Sequence, residues 1–176
     1  MNRVLCELRA QDPDLGRSDE KCERVEGELR IGYVPFHAEI AFSRATGRAH
    51  RIHLRLRDPD QWGSATYGLV RRELEARHGP ASPVLPLGAS FETYCAEQVR
   101  DLRRGNAVPQ QALVPPRCEE AHRIEGRGGR ISLQRCIREV CPGAAGRLSA
   151  AAQGVVGLRT LDVEYTAERA PGEPGS

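Results

Sequence analysis

The segment "PFHAEIAFSRATGRAHRIHLRLR", residues 35–57, decides the fold class because it contains two stretches in which apolar and polar residues alternate. The apolar residues of each stretch share one face of an extended chain: Phe36, Ala38, Ile40 and Phe42, then Ile52, Leu54 and Leu56. Between the stretches, "ATGR" at 45–48 is typical of a turn, with Gly47 free to adopt a positive φ. The segment therefore predicts an antiparallel β-hairpin with one buried face.

The same two-residue periodicity occurs on both sides of this hairpin. It predicts a short strand over residues 4–8, a second over residues 25–33, and a last strand within "VVGLRTLDVEYTAE", residues 155–168. The proline- and glycine-containing end of the chain, residues 169–176, is typical of a disordered tail.

Helical periodicity appears in the middle of the chain. One helix is predicted from Asp60 to His78, and a second begins at Ser90 as N-cap and ends near Gly105. Two shorter helices are predicted, one capped by Ser132 and one in the alanine-rich residues 147–153. Together the elements predict an α+β fold: an antiparallel sheet of four to five strands, mostly N-terminal with one C-terminal strand, and two to four helices packed on one face.

Length and composition indicate one globular domain. The 176 residues, 39% hydrophobic and 28% charged, predict a single domain over residues 1–168, with a sub-boundary in the proline-containing segment 107–117 as an alternative. The chain has no run of 18 apolar residues, and charges interrupt residues 1–17, so neither a membrane span nor a signal peptide is expected. This predicts an intracellular protein, cytoplasmic or nuclear, whose six cysteines are free thiols or metal ligands rather than bridges.

The polar face of the predicted hairpin is rich in basic side chains. These are Arg51, His53, Arg55 and Arg57 on the second strand and Arg44 and Arg48 beside the turn. Such a row could contact phosphates of a nucleic acid. Two observations favour an ordinary solvated face instead. Lys21 is the only lysine among 26 basic residues, which suggests a codon preference for arginine, and the net charge is only +2.

A second candidate lies in "EGRGGR", residues 125–130. Glycines at 126, 128 and 129 before a predicted helix could form a backbone nest for an anion, assisted by Arg127 and Arg130. The segment matches neither a phosphate-binding Walker loop nor a dinucleotide-binding fingerprint. A flexible connection is the alternative interpretation.

A third candidate is a structural zinc site formed by Cys118, His122, Cys136 and Cys141. Four such ligands in two pairs are the right number for structural zinc. The alternative is that Cys136 lies on the apolar face of its predicted helix and acts as a small hydrophobic residue. No other cofactor is expected.

No catalytic motif is present, which favours a protein that is not an enzyme, although a small enzyme of unknown reaction stays open. The leading hypothesis is an accessory or regulatory protein that binds nucleic-acid backbone, with RNA favoured, through the basic hairpin. The alternatives are a protein–protein adaptor, such as a viral accessory protein, with no nucleic-acid binding, and a small zinc-stabilised domain. The expected partner is therefore a nucleic acid or a protein, and not a membrane.

Overall fold

The computed structural model describes residues 24–43, 49–84, 87–126 and 128–167. The strands in these residues are β1 (Arg24–Ile31), β2 (Val34–Phe42), β3 (Ala49–Leu56), β4 (Ser82–Pro83), β5 (Pro116–Gly126), β6 (Gly129–Arg138) and β7 (Arg159–Ala167). The α-helices are α1 (Ser64–His78), α2 (Leu87–Arg103) and α3 (Ala150–Gln153). The strands form one antiparallel sheet in the order β1-β2-β3-β7-β6-β5-β4.

The strands of the predicted hairpin are confirmed. β2 and β3 pair antiparallel, with Phe36 opposite Leu56 and Ile40 opposite Ile52, so the two apolar stretches share one face. The turn residues 45–48 and the predicted strand at 4–8 lie outside the described residues, as does the tail 169–176. The predicted last strand is confirmed as β7, which pairs antiparallel with β3.

The strand predicted over 25–33 ends two residues early. β1 stops at Ile31 because Gly32 adopts a φ of 60°, and Tyr33 lies in the resulting turn with 73% of its surface exposed. A positive φ is the conformation that tight hairpin turns need and that glycine adopts without steric cost. The chain then returns as β2, with Pro35 near its start.

The two long helices are confirmed, with shifted starts. α1 follows a short 3-10 helix, Pro59–Gln61, which Asp58 caps by accepting a hydrogen bond from the backbone N–H of Asp60 at 3.0 Å. α2 begins at Leu87, three residues before the predicted cap, Ser90. The alanine-rich helix is shorter than predicted and is capped by the Ser149 hydroxyl.

The helix predicted to begin at Ser132 is wrong, because residues 129–138 form strand β6. Ile131, Leu133 and Arg135 are buried while Ser132 and Gln134 between them are more exposed, which is the two-residue period of a strand. A short apolar run fits either period, and here the neighbouring strands β5 and β7 decide the outcome. With β4, β5 and β6 the sheet has seven strands in the described residues rather than the four to five predicted.

The chain divides into two compact units, each with its own core. The first contains the described residues of 24–82, 122–133 and 161–167, and the second contains those of 83–121 and 134–160, including the segment predicted as a sub-boundary. In the first unit, α1 packs against the apolar face of the sheet; its core includes Val34, Phe36, Ala38, Leu54, Leu56, Tyr67, Val70, Leu74, Ile124, Ile131, Leu133, Leu161 and Val163. The core of the second unit is smaller and is formed by Phe91, Cys95, Val99, Leu113, Cys141 and Ala144. Among the described residues, no helix is long and apolar enough to cross a membrane.

Candidate functional site

The basic residues of β3 lie opposite acidic residues of β7. Nε of Arg51 is 2.9 Å from a carboxylate oxygen of Glu164. Oδ1 of Asp162 lies 3.2 Å from Nε2 of His53 and 3.4 Å from Nε of Arg55. Because a carboxylate close to each of these arginines reduces the field that a polyanion would meet, this face is weaker as a phosphate-binding surface than its arginines suggest.

The other basic candidates among the described residues also form ion pairs with carboxylates. Nη1 of Arg57 is 2.7 Å from Glu28 of β1, and Nε of Arg130 is 3.0 Å from Glu125 of β5. The other three predicted contacts, Arg44, Arg48 and Arg127, lie outside the described residues. Sequence reasoning missed the β7 partners because Asp162 and Glu164 are more than 100 residues distant from β3, and only the β3–β7 pairing brings them together.

The structure does not bring the four predicted zinc ligands together, which corrects that expectation. Cys118 of β5 forms a disulfide with Cys136 of β6, and Cys141 forms one with Cys95 of α2. The four described cysteines are therefore neither free thiols nor thiolate ligands, because each sulfur is already bonded. His122 lies in the other unit, where it contacts Tyr67, and the described residues contain no group of three or more metal-ligating side chains.

The glycines of the β5–β6 turn have a packing role. Gly129 has a φ of 153°, and a Cβ there would overlap the carbonyl oxygen of Thr166 and lie 2.9 Å from Cα of Ala167. The Tyr165 hydroxyl donates a hydrogen bond to the carbonyl oxygen of Gly128 at 2.9 Å. The turn is thus held closely against β7, and its glycine at 129 permits that close approach. Anion binding at this turn stays a prediction.

A cavity of about 630 Å³ opens between the sheet and the C-terminal half of α1, within the first unit. Its walls are mainly apolar and include Leu29, Ile31, Ile52, Leu54, Leu74, Ile124, Ile131 and Val163. A helix with its side chains is only about 10 Å across. Strands lie about 4.8 Å apart, so one helix cannot cover the width of this sheet. Within the described residues, the apolar surface that α1 leaves uncovered forms the cavity.

The two ends of this cavity differ in chemistry. At the α1 end lie Glu73, Arg77 and His78, and Nη2 of Arg77 is 3.8 Å from a carboxylate oxygen of Glu73. At the other end lie Tyr165 and the glycines of the β5–β6 turn. Arg30 is also part of the wall, and strand alternation puts its side chain on the face of β1 opposite to that of Leu29 and Ile31.

Comparisons with protein-family models, with curated protein sequences and with solved structures found no match. The function is therefore inferred from the geometry of this chain. Among the features described, the cavity joins apolar walls from several strands and a helix to a few polar groups at its edge. Sites that bind small molecules share this arrangement. Sequence reasoning missed the cavity because its walls were interpreted only as core residues.

Proposed function

We propose that the protein binds a small, largely apolar ligand in the cavity between α1 and the sheet. The observation that carries the proposal is a half-open cavity of about 630 Å³ lined mainly by apolar side chains. Ligand sites typically measure about 300–1,000 Å³.

The exposure of the wall residues supports the same proposal. Leu29 is 43% exposed, and Ile52 and Tyr165 are only half-buried, although all three extend the apolar face that is covered elsewhere. Covering apolar surface with an apolar ligand gains about 25 cal/mol per Å² removed from water. A bound ligand would thus complete the burial that α1 alone does not provide.

Binding in the cavity is favoured over binding of nucleic-acid backbone by β3. The carboxylates of Glu164 and Asp162 already pair with Arg51 and Arg55, and Asp162 also contacts His53. A phosphate would have to displace them or bind a face of low net charge. The nucleic-acid hypothesis is kept as a separate prediction with its own test.

The two disulfides in the described part of the chain also bear on where the protein works. Disulfides persist in oxidising compartments and are rare in the cytosol and nucleus. Two such bonds within the second unit support an oxidising compartment as the working location, in place of the reducing one expected from the sequence.

The test uses the full chain and the fluorescent probe anilinonaphthalene sulfonate, whose emission rises in apolar surroundings. Ile52→Trp should fill the cavity and weaken probe binding about tenfold, which corresponds to 1.4 kcal/mol. Ile137→Trp is the matched control, because Ile137 is also a half-buried strand residue but does not line the cavity.

Urea denaturation of each variant shows that it is folded, since partly folded chains also bind this probe. Equal probe affinity in the wild-type protein and both variants, or no binding by the wild-type protein, would overturn the proposed function.

A further inference from the structure

We propose that the ligand carries one carboxylate, held by Arg77 and His78 at the α1 end of the cavity. This inference rests on the proposed function and adds the chemical class of the ligand: an amphipathic monocarboxylate with its apolar part against the sheet. Three observations support it, and they concern the face of α1, the partners of Arg77 and the opposite end of the cavity.

The first observation is where Arg77 and His78 lie on α1. The buried residues Tyr67, Val70 and Leu74 mark the helix face that meets the sheet. Positions three and four residues after Leu74 lie on the same face, one turn further along. These positions would ordinarily carry apolar residues, yet here they carry an arginine and a histidine that line the cavity.

The second observation is that Arg77 is only weakly held within the protein. Its Nη2 lies 3.8 Å from Glu73, beyond hydrogen-bond distance, and 65% of its side chain is exposed. Within the described residues no other carboxylate lies within ion-pair distance of it. A guanidinium has a planar fork of N–H donors that matches a carboxylate, so Arg77 can bind a ligand while Glu73 stays in place.

The third observation is the chemistry of the opposite end. Tyr165 has one hydroxyl hydrogen, and it is donated to the carbonyl oxygen of Gly128. The sheet between the two ends contributes isoleucine, leucine and valine. Groups suited to a carboxylate are therefore concentrated at the α1 end, which favours a ligand that is charged at one end and apolar along the rest.

The helix dipole offers another reason for these two residues, because cations near a helix C-terminus are stabilising. That effect explains a positive charge in the last turn but does not depend on any ligand. The two explanations differ in a measurable way: only carboxylate binding makes the affinity of an acid depend on Arg77 while leaving that of a matched alcohol unchanged.

The experiment is calorimetric titration of the full chain with decanoate and with 1-decanol. We expect decanoate to bind more tightly, and Arg77→Gln to weaken decanoate about threefold, as expected for an exposed ion pair, with 1-decanol unchanged. Glu73→Gln should strengthen decanoate binding because it removes a competing carboxylate. Arg72→Gln is the matched control, since Arg72 is an exposed arginine of α1 that does not line the cavity.

The outcomes separate the two proposals. Equal affinities for both compounds, with no effect of Arg77→Gln, would overturn the carboxylate inference and leave the proposed function standing. Binding of neither compound, together with no binding of the fluorescent probe, would overturn the proposed function itself. Light scattering adds a further outcome: a dimer whose size does not change as decanoate or the probe is added, with neither compound bound, would mean that a second copy of the chain fills the cavity, which contradicts both proposals.

Discussion

The hydroxyl oxygen of Tyr67 lies 2.7 Å from Nδ1 of His122, and this contact joins α1 to β5. Nη1 of Arg71 lies 3.2 Å from the other ring nitrogen, Nε2. Because a guanidinium only donates, Nε2 accepts from it and the ring hydrogen is on Nδ1, which donates to Tyr67. The Tyr67 hydroxyl in turn donates to the carbonyl oxygen of Leu133 at 3.3 Å. The four groups thus form a chain in which each donates a hydrogen bond to the next: Arg71 to His122, His122 to Tyr67, and Tyr67 to the Leu133 carbonyl. This chain fixes α1 over β5 and β6.

Tyr67→Phe should lower the free energy of unfolding by about 2 kcal/mol, since it removes the hydroxyl and keeps the ring. Tyr67 is 1% exposed, so water does not readily replace the hydroxyl as a partner for the histidine ring and the Leu133 carbonyl. Urea denaturation measures the change. Tyr33→Phe is the control, because Tyr33 is 73% exposed and should change stability by no more than about 0.5 kcal/mol. Equal effects of the two substitutions would contradict the proposed chain of hydrogen bonds.

The glycines at 128 and 129 should respond very differently to alanine. Gly129→Ala should cost about 3 kcal/mol, because its Cβ would overlap the Thr166 carbonyl oxygen and its φ of 153° disfavours a side chain. At Gly128 the nearest atom to an added Cβ, the Tyr165 hydroxyl oxygen, is 3.7 Å away, an ordinary contact. Thermal denaturation of the two variants gives the comparison. If Gly128→Ala lowered the melting temperature more than Gly129→Ala, the inference that this turn packs closely on β7 would be wrong.

The disulfides make a prediction about thiols and stability. In a background with Cys6→Ser and Cys22→Ser, the unreduced, denatured protein should contain no titratable thiol. Removing the bond between Cys95 and Cys141, 46 residues apart, by double alanine substitution should cost about 4 kcal/mol in the chain-entropy model. The same change at Cys118 and Cys136, 18 residues apart, should cost about 3 kcal/mol. Four titratable thiols would show that neither bond forms.

Local sequence patterns were sufficient for the elements that carry a long, regular period. The alternation in β2 and β3 and the helical spacing of Leu69, Val70 and Leu74 in α1 each extend over many residues, so the strand period fits the first two segments and the helical period fits the third. β6 was mistaken for a helix because its apolar run is short. Its strand conformation depends on hydrogen bonds to neighbouring strands, which no local pattern contains.

The candidate sites were less predictable than the elements, because each depends on contacts between distant residues. The partners of Arg51 and Arg55 come from β7, and the bond between Cys95 and Cys141 joins α2 to the segment after β6. The cavity exists because α1 is narrower than the sheet, which is a property of the packed layers rather than of any motif. From the sequence, the basic residues were expected on one face of β3 with Glu39 on the facing strand, but the acidic residues of β7 beside them could not be foreseen.

Those acidic neighbours give the nucleic-acid hypothesis a direct test by filter binding to single-stranded RNA over a range of salt concentrations. If the carboxylates of β7 neutralise β3, the wild-type protein should bind weakly, and Arg51→Ala with Arg55→Ala should change little. Asp162→Asn with Glu164→Gln removes both carboxylates and keeps the shape of the side chains. That variant should bind RNA more tightly at low salt, and two added phosphate contacts should steepen its logarithmic salt dependence by about 1.4. Tight, salt-sensitive binding by the wild-type protein that the two arginine substitutions abolish would instead show that β3 is a nucleic-acid-binding surface despite its ion pairs.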